Sequence, residues 1–283
     1  MKSRYQAIAT ASFAIALSSL AHVSAETVLI DFGNSSSFRG ATQTGADANG
    51  LYWTSIYSGA YYSNLIDATN TATSLGFGFG TSTGLGTDSF NGPSGATSNP
   101  ITQTEIDAAN INATALGILG GSKASAVDYY TATDGRFVIQ GLDADETYNL
   151  TFFGSHKFNT VNTTDYAVYS DNTYATSVGS TSLSVGVGSA NNTSNTATIA
   201  GLTPQTANTF YVRFGASGYT ANGYINELSI VGYVPYTAGG TTTLAAAKTY
   251  TGNTILGGAS TLNANAAGAM GGGSSVLQID AGG

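Results

Sequence analysis

Residues 135–155 read GRFVIQGLDADETYNLTFFGS, and the fold class follows from them. Phe137 and Ile139 fall on one side of an extended segment, with Arg136, Val138 and Gln140 on the other. After an acidic turn at 141–146, Tyr148, Leu150 and Phe152 share one face, with Thr147, Asn149 and Thr151 opposite. Such period-two alternation marks strands with one buried face. Upstream, TVLIDF at 27–32 predicts a first strand with Val28, Ile30 and Phe32 inward and Leu29 and Asp31 outward. Further short strands are predicted at 75–79, 165–169, 181–187, 195–200, 209–214 and 224–231. The last carries Asn226, Leu228 and Ile230 on one face. The exception is 104–119, where Ile106, Ala109, Ala113, Leu116 and Leu119 recur near helical spacing. That predicts one short helix, capped by Thr102 or Thr104. Strands at this spacing, separated by Gly, Asn and Thr turns, predict an all-β fold of the jelly-roll β-sandwich type.

The N-terminus predicts export. Lys2 and Arg4 precede a mostly apolar run at 7–21, and Val23, Ser24 and Ala25 follow in a small-residue cleavage pattern. This is the form of a secretory signal peptide over 1–25, which leaves a mature chain beginning at Glu26. The run is too short and too rich in Ser and Thr for a membrane span, and no later segment approaches the needed length. The expected location is secreted, extracellular or on a bacterial cell surface.

The chain has 8 basic and 16 acidic residues, a net charge of −8. Loss of Lys2 and Arg4 makes the balance more acidic still, which disfavours nucleic acid and anionic lipid as partners. Charged residues are only 8% of the whole, so solubility rests on Ser, Thr, Asn and Gly. The 17 Tyr and 12 Phe argue against disorder over most of the length. The lack of cysteine excludes disulfides, thiol catalysis and thiolate metal sites. Residues 26–234 are enough for one sizeable sandwich held by core burial alone.

Pro235 and Gly239–Gly240 mark a boundary. Beyond it, 235–283 is rich in Ala, Gly, Thr and Asn, punctuated by Leu244, Ile255, Leu262, Val276 and Ile279. This predicts a linker and the start of a Gly-rich β-solenoid. One rung cannot bury its own face, so further repeats are expected to follow.

Two resemblances attach to these segments. VLIDFG at 28–33, the block at 135–155, NTSNTATIAGLTP at 192–204 and NGYINELSIVG at 222–232 resemble bacterial secreted jelly-roll modules with a galactose-binding-like fold. That resemblance implies a closing strand beside the first, and a setting within large surface proteins near carbohydrate-active or esterase domains. KTYTGNTILGGASTLN at 248–263 resembles the autotransporter-associated β-strand repeat, which implies a solenoid passenger on a bacterial surface.

Candidate binding residues are aromatic. Trp53, Tyr57, Tyr61 and Tyr62 can form a platform for a sugar ring, and the Tyr129–Tyr130 pair is a second element of it. The same rings serve equally as core residues with hydroxyls reaching the surface. The vicinity of Asn222, Tyr224 and Asn226 is another sugar candidate, unless Asn226 satisfies backbone groups at a sheet end. Among carboxylates, Asp143, Asp145 and Glu146 cluster in a turn, where Asp is also a default turn former. The galactose-binding-like resemblance implies that a structural calcium, if present, would use Asp31 and Glu227. No cofactor is otherwise expected.

Enzyme signatures are missing from the sequence. After signal removal one histidine remains, His156, too few for a multi-histidine zinc site. The Gly-rich run at 76–86 lacks the lysine of a phosphate loop. The reading is therefore a non-catalytic secreted or surface module, glycan-binding or adhesion-related, with polysaccharide as partner. The alternatives are a structural spacer or N-terminal cap of a β-solenoid, and an accessory domain to a catalytic part lying beyond residue 283.

Overall fold

A computed structural model describes residues 23–33, 40–57, 59–80, 82, 86–88, 101–156, 161–188, 190–234 and four short strands beyond 240. In chain order the strands are β1 (Val23–Phe32), β2 (Thr54–Ile56), β3 (Gly76–Phe79), β4 (Gly86–Asp88), β5 (Tyr129–Ala132), β6 (Gly135–Gln140) and β7 (Thr147–Phe153). They continue as β8 (Val161–Tyr169), β9 (Ser177–Val187), β10 (Ala190–Asn191), β11 (Ala197–Leu202), β12 (Phe210–Gly215), β13 (Gly223–Ile225) and β14 (Glu227–Val234). The predicted signal peptide lies almost wholly outside the described residues, as does the boundary at 235–240.

The fold is all-β, with largely antiparallel sheets. A five-stranded sheet runs β11-β7-β14-β1-β2, and a six-stranded sheet runs β10-β9-β8-β12-β6-β3. The last long strand pairs antiparallel with the first, Leu228 opposite Ile30 and Glu227 opposite Asp31. The inward residues of both sheets meet in one core. Val28, Ile30 and Phe32 of β1, with Tyr148, Leu150 and Phe152 of β7, face Phe137 and Ile139 of β6 and Phe210, Val212 and Phe214 of β12. Phe152 stacks on Tyr166 across the sheets at 4.4 Å and 10°, and Tyr148 meets Phe210 edge-on at 5.7 Å. Offset and edge-to-face pairs of this kind add to the burial of the rings themselves. The alternation read from 135–155 is thus the alternation of the core.

Two expectations need correction. Leu29 and Asp31, read as outward, are fully buried, because a third layer covers the second face of the five-stranded sheet. It consists of α1 (Gln103–Asp107), α2 (Ala113–Leu116), a 3-10 turn at Gly117–Gly121 and α3 (Lys123–Val127). Leu29 and Phe153 pack there against Trp53, Leu116, Leu119 and Ala126. Second, the single helix over 104–119 is broken. Thr102 caps α1 in a capping box with Glu105, and Asn112 then caps α2 afresh. Each cap satisfies backbone donors that a continuous helix would bond internally. Ile106, Ala109, Leu116 and Leu119 are buried as read, but Ala113 is exposed.

A small sheet, β13-β5-β4, contributes Tyr129, Tyr130, Tyr224 and Ile225 to the main core. In the tail, β15 (Thr241–Leu244) pairs in parallel with β17 (Thr261–Ala264), and β16 (Thr254–Gly257) with β18 (Leu277–Asp280).

Candidate functional site

The sequence-derived aromatic candidates separate into two groups. Trp53, Tyr129 and Tyr130 are buried and present no ring face to solvent. The indole Nε1 of Trp53 donates to Asp47 Oδ2 at 2.9 Å, so its polar edge is satisfied beneath the surface. Tyr57 and Tyr61 are exposed, each at 55%. Tyr62 is half-buried, meets the Tyr57 ring edge-on at 5.9 Å and accepts through its hydroxyl from the Tyr57 backbone amide. The second sugar candidate is structural. Buried Asn226 accepts from the Ser155 amide at 2.8 Å and donates to the Ala126 carbonyl at 3.0 Å, bridging three segments.

A different aromatic surface lies on the outward face of the six-stranded sheet. Arg136 of β6 stands directly opposite Arg213 of β12, and Tyr211 stands opposite both Val138 and Tyr169. Like charges facing each other across strands destabilise a sheet. Asp134 relieves this by accepting from Arg136 Nη2 at 2.7 Å, Arg136 Nε at 3.0 Å and Arg213 Nε at 2.7 Å. Partial burial pushes its carboxyl up, but the hydrogen bonds and charges of Arg213 and Arg136 prevail and hold it below the usual range. Each guanidinium is then roofed by a tyrosine. Arg136 lies 4.7 Å from the Tyr174 ring centroid and Arg213 3.9 Å from that of Tyr219. Tyr174 also meets Tyr169 and Tyr211 edge-on, at 5.4 and 6.3 Å.

The two roofing tyrosines have unusual backbones. Tyr174 has φ +56° and Tyr219 φ +67°. Bulky residues rarely adopt the left-handed region, and a residue held there costs on the order of 1–3 kcal/mol. At the adjoining sheet edge, β3 offers glycines where other strands offer side chains. A Cβ on Gly76 would overlap the Tyr61 hydroxyl, and one on Gly78 would lie 2.9 Å from the Tyr61 ring. Tyr61 therefore lies along β3 over Gly76 and Gly78, while Tyr174 and Arg136 flank Gly80, just past the end of that strand. The outward face carries a strip of Tyr61, Tyr174, Tyr211, Arg136, Arg213 and Tyr219. The sequence offered Tyr61 as a binding candidate and placed Arg136 outward, but nothing in it joined the two. The two tyrosines arrive from turns, where periodicity says nothing.

The predicted calcium pair occupies the other side of the molecule. Asp31 and Glu227 are fully buried neighbours, and a third buried carboxylate, Asp128, joins them. Gly33 makes room for it: its φ is +132°, and a Cβ there would overlap the Asp128 carboxylate. Asp31 Oδ2 accepts from Ser55 Oγ at 2.8 Å and the Gln43 amide at 3.2 Å, and Glu227 Oε1 accepts from Ser125 Oγ at 2.6 Å. Asp31 Oδ1, Glu227 Oε2 and both oxygens of Asp128 are buried without a hydrogen-bond partner. The nearby Ala41 amide lowers the Asp128 carboxyl somewhat without reaching hydrogen-bond geometry. Burial pushes Asp31 up to about 7. Burial and the Asp31 charge raise Asp128, and burial raises Glu227. These are hard oxygen donors of the kind Ca²⁺ takes. Yet among the described residues no three acidic or histidine side chains converge closely enough to hold an ion. The donors fit a cation in kind and not in arrangement, and protons are the simplest means of neutralising them.

His156 is neutral and structural. It stacks on Tyr224 at 4.1 Å and 19°, and burial lowers its pKa. No helix among the described residues is long and apolar enough to cross a membrane. No family model matches the chain, and comparison with curated proteins and with solved structures also finds no match.

Proposed function

We propose that this protein is a secreted or surface-exposed, non-catalytic module of the jelly-roll, galactose-binding-like kind that binds polysaccharide on the outward face of its six-stranded sheet. One observation carries the reading. Tyr174 and Tyr219 are held in left-handed backbone to roof two arginines on a face outside the main core cluster. Strain retained away from the core is reasonably assigned to a site. Sugar rings offer flat CH faces to tyrosine and hydroxyls to guanidinium and carboxylate groups. The two arginines share Asp134, and Asp165 lies beside Tyr219 on the same face, so the strip is balanced in charge and offers both guanidinium and carboxylate groups to sugar hydroxyls.

The test is a glycan array probed with the chain from residue 26 to 283 and with its Tyr174→Ala and Arg213→Gln variants. Binding to a glycan that drops at least tenfold in both folded variants supports the reading. Binding unchanged by both variants, or no binding at all by a folded chain, refutes it.

A second reading is a cap on a β-solenoid, favoured by the tail. Thr241 lies beside Thr261, 20 residues on, and Thr254 beside Leu277, 23 residues on. Parallel pairing at a near-constant offset is how successive solenoid rungs stack. β16 also passes within 8 Å of β1. In this reading the sandwich covers an open edge that would otherwise recruit other strands.

A further inference from the structure

The outward face of the six-stranded sheet continues past Tyr219. Arg213 and Gly215 of β12 share that face, and Gly215 stands opposite Asp165 of β8. Asp165 and, two residues earlier, Thr163 therefore belong to the same surface as the Tyr–Arg strip. A cavity of about 420 Å³ opens beside them, between the start of β8 and the turn that links β12 to β13. That volume falls within the range of about 300–1,000 Å³ typical of small-molecule sites. Asn162, Thr163, Asp165 and Ser217 give it polar walls, and the small side chains of Ala216 and Ala221 leave it room.

The turn that walls the cavity is strained and tied down. Ser217, Gly218 and Tyr219 are consecutive left-handed residues, with φ of +52°, +67° and +67°. Two of them carry side chains, so the turn stores strain that its surroundings must hold. Within it, the Ala216 amide donates to the Ala221 carbonyl at 2.8 Å, and Thr220 Oγ1 to the Ser217 carbonyl at 2.7 Å. The Gly218 amide donates to Asp165 Oδ2 at 3.4 Å and Asn162 Nδ2 to the Asn222 carbonyl at 3.3 Å, which stitches the turn to β8. Tyr219 is thereby laid over Gly215, where a Cβ would lie 3.0 Å from its Cδ1. One strained turn supplies both the last ring of the strip and a wall of the cavity.

The polar groups of the cavity suit hydroxyls. Asp165 Oδ1 accepts from Ser182 Oγ at 2.7 Å, and each carboxylate oxygen keeps a further lone pair. Thr163 and Ser217 are exposed, and a hydroxyl both donates and accepts. A carboxylate or sulfate placed against Asp165 would set acceptor against acceptor.

We propose that this cavity is a subsite for one uncharged sugar residue of the polysaccharide, held through its hydroxyls by Thr163, Asp165 and Ser217 while its neighbours lie on the strip. The inference rests on the reading of this face as a glycan site and adds the class of sugar. The polymer must contain uncharged residues, because a residue bearing a carboxylate does not fit here.

The test compares wild type with Ala221→Trp, Thr163→Val and Tyr174→Ala on the glycan array, with galactan, mannan and polygalacturonate included. Ala221 is exposed on the cavity wall and bonds through its backbone, so a tryptophan there fills the space and spares the turn. Thr163→Val keeps the shape and removes one hydroxyl. Wild type should bind glycans that contain uncharged residues and should not bind polygalacturonate. Ala221→Trp should weaken that binding at least tenfold. Thr163→Val should weaken it about three- to tenfold, the worth of one hydrogen bond. Melting temperatures identify the folded variants, and Thr163→Val decides alone if Ala221→Trp does not fold. Binding that falls in Tyr174→Ala but is unchanged in both cavity variants overturns the subsite and leaves the strip standing. Binding to polygalacturonate alone also overturns the subsite. If the folded wild type binds nothing, the reading of the whole face falls, and the subsite with it.

Discussion

Replacing Asp134 with alanine tests the outward face directly. The substitution removes three charge-assisted hydrogen bonds and leaves Arg136 and Arg213 facing each other across β6 and β12. The side chains of the cluster are 17–27% exposed. Its worth therefore lies between that of exposed pairs, about 0.2–1 kcal/mol, and the 3–5 kcal/mol lost when one partner of a buried pair is removed. An intermediate loss of about 2 kcal/mol corresponds to a melting point lower by about 4–8 °C for a domain of this size. Much of the loss is arginine–arginine repulsion, which sets two further expectations. Asp134→Ala combined with Arg213→Ala should cost less than the sum of the single changes, by about 1–2 kcal/mol. The penalty of Asp134→Ala alone should shrink in 1 M salt, where screening acts over about 3 Å. In the wild type, the lowered Asp134 pKa means that its contribution is present above the unfolded carboxylate pKa and is lost as pH falls through the folded value. Thermal melts of the four proteins at two salt concentrations decide the matter. A single variant that melts within 1 °C of wild type, or strictly additive losses, would show that the arginines are not held by Asp134.

Other expectations follow from buried groups. Asp31 holds a proton when folded up to about pH 7 but only to about 4 when unfolded, so stability falls as pH rises through that window, by on the order of 4 kcal/mol at most. Asp31→Asn should flatten the decline between pH 5 and pH 8 in chemical denaturation; an unchanged slope would place the carboxylate outside the buried trio. Because no three acidic or histidine side chains among the described residues converge there, a chelator should leave the melting temperature at pH 5 unchanged. Trp53, the only tryptophan, is 5% exposed against Leu29 and Phe153. Its fluorescence should be blue-shifted in the folded protein, and Trp53→Ala should cost about 3–5 kcal/mol, whereas a solvent-like emission maximum would contradict its placement. Gly135→Ala puts a Cβ into the Phe214 ring and should cost about 1–3 kcal/mol, while Gly45→Ala meets nothing within 4 Å and should be silent in the same melts.

What the sequence disclosed follows from what periodicity can report. Phe137, Ile139, Tyr148, Leu150, Phe152, Phe210, Val212 and Phe214 alternate because a strand has two faces and one of them is buried, and all are in the core. Leu29 and Asp31 were misplaced because alternation assumes that the second face meets water. Here short helices cover it, and each is only four or five residues long. Turns of that length carry too little pattern to reveal what they pack on. The Tyr–Arg strip was hidden for a related reason. Arg136 is far in the chain from Tyr174 and from Arg213, and the left-handed backbone of the two tyrosines has no signature in residue type. Asp128 was likewise invisible until Gly33 was seen to leave space for it.

The pairing of β1 with β14 has a kinetic consequence. Asp31 and Glu227 are neighbours in space at almost opposite ends of the sandwich sequence. β1 can pair early with β2 only over Ile30–Phe32 and must wait for β14 before its long ladder can form, and such long-range closure slows folding. Until then β1 exposes Val28, Leu29, Ile30 and Phe32, apolar on both faces, to any other chain nearby. The growing protein is thus most open to misassociation at its N-terminal strand, and substitutions that weaken β14 should lower the yield of soluble protein before they alter the finished fold.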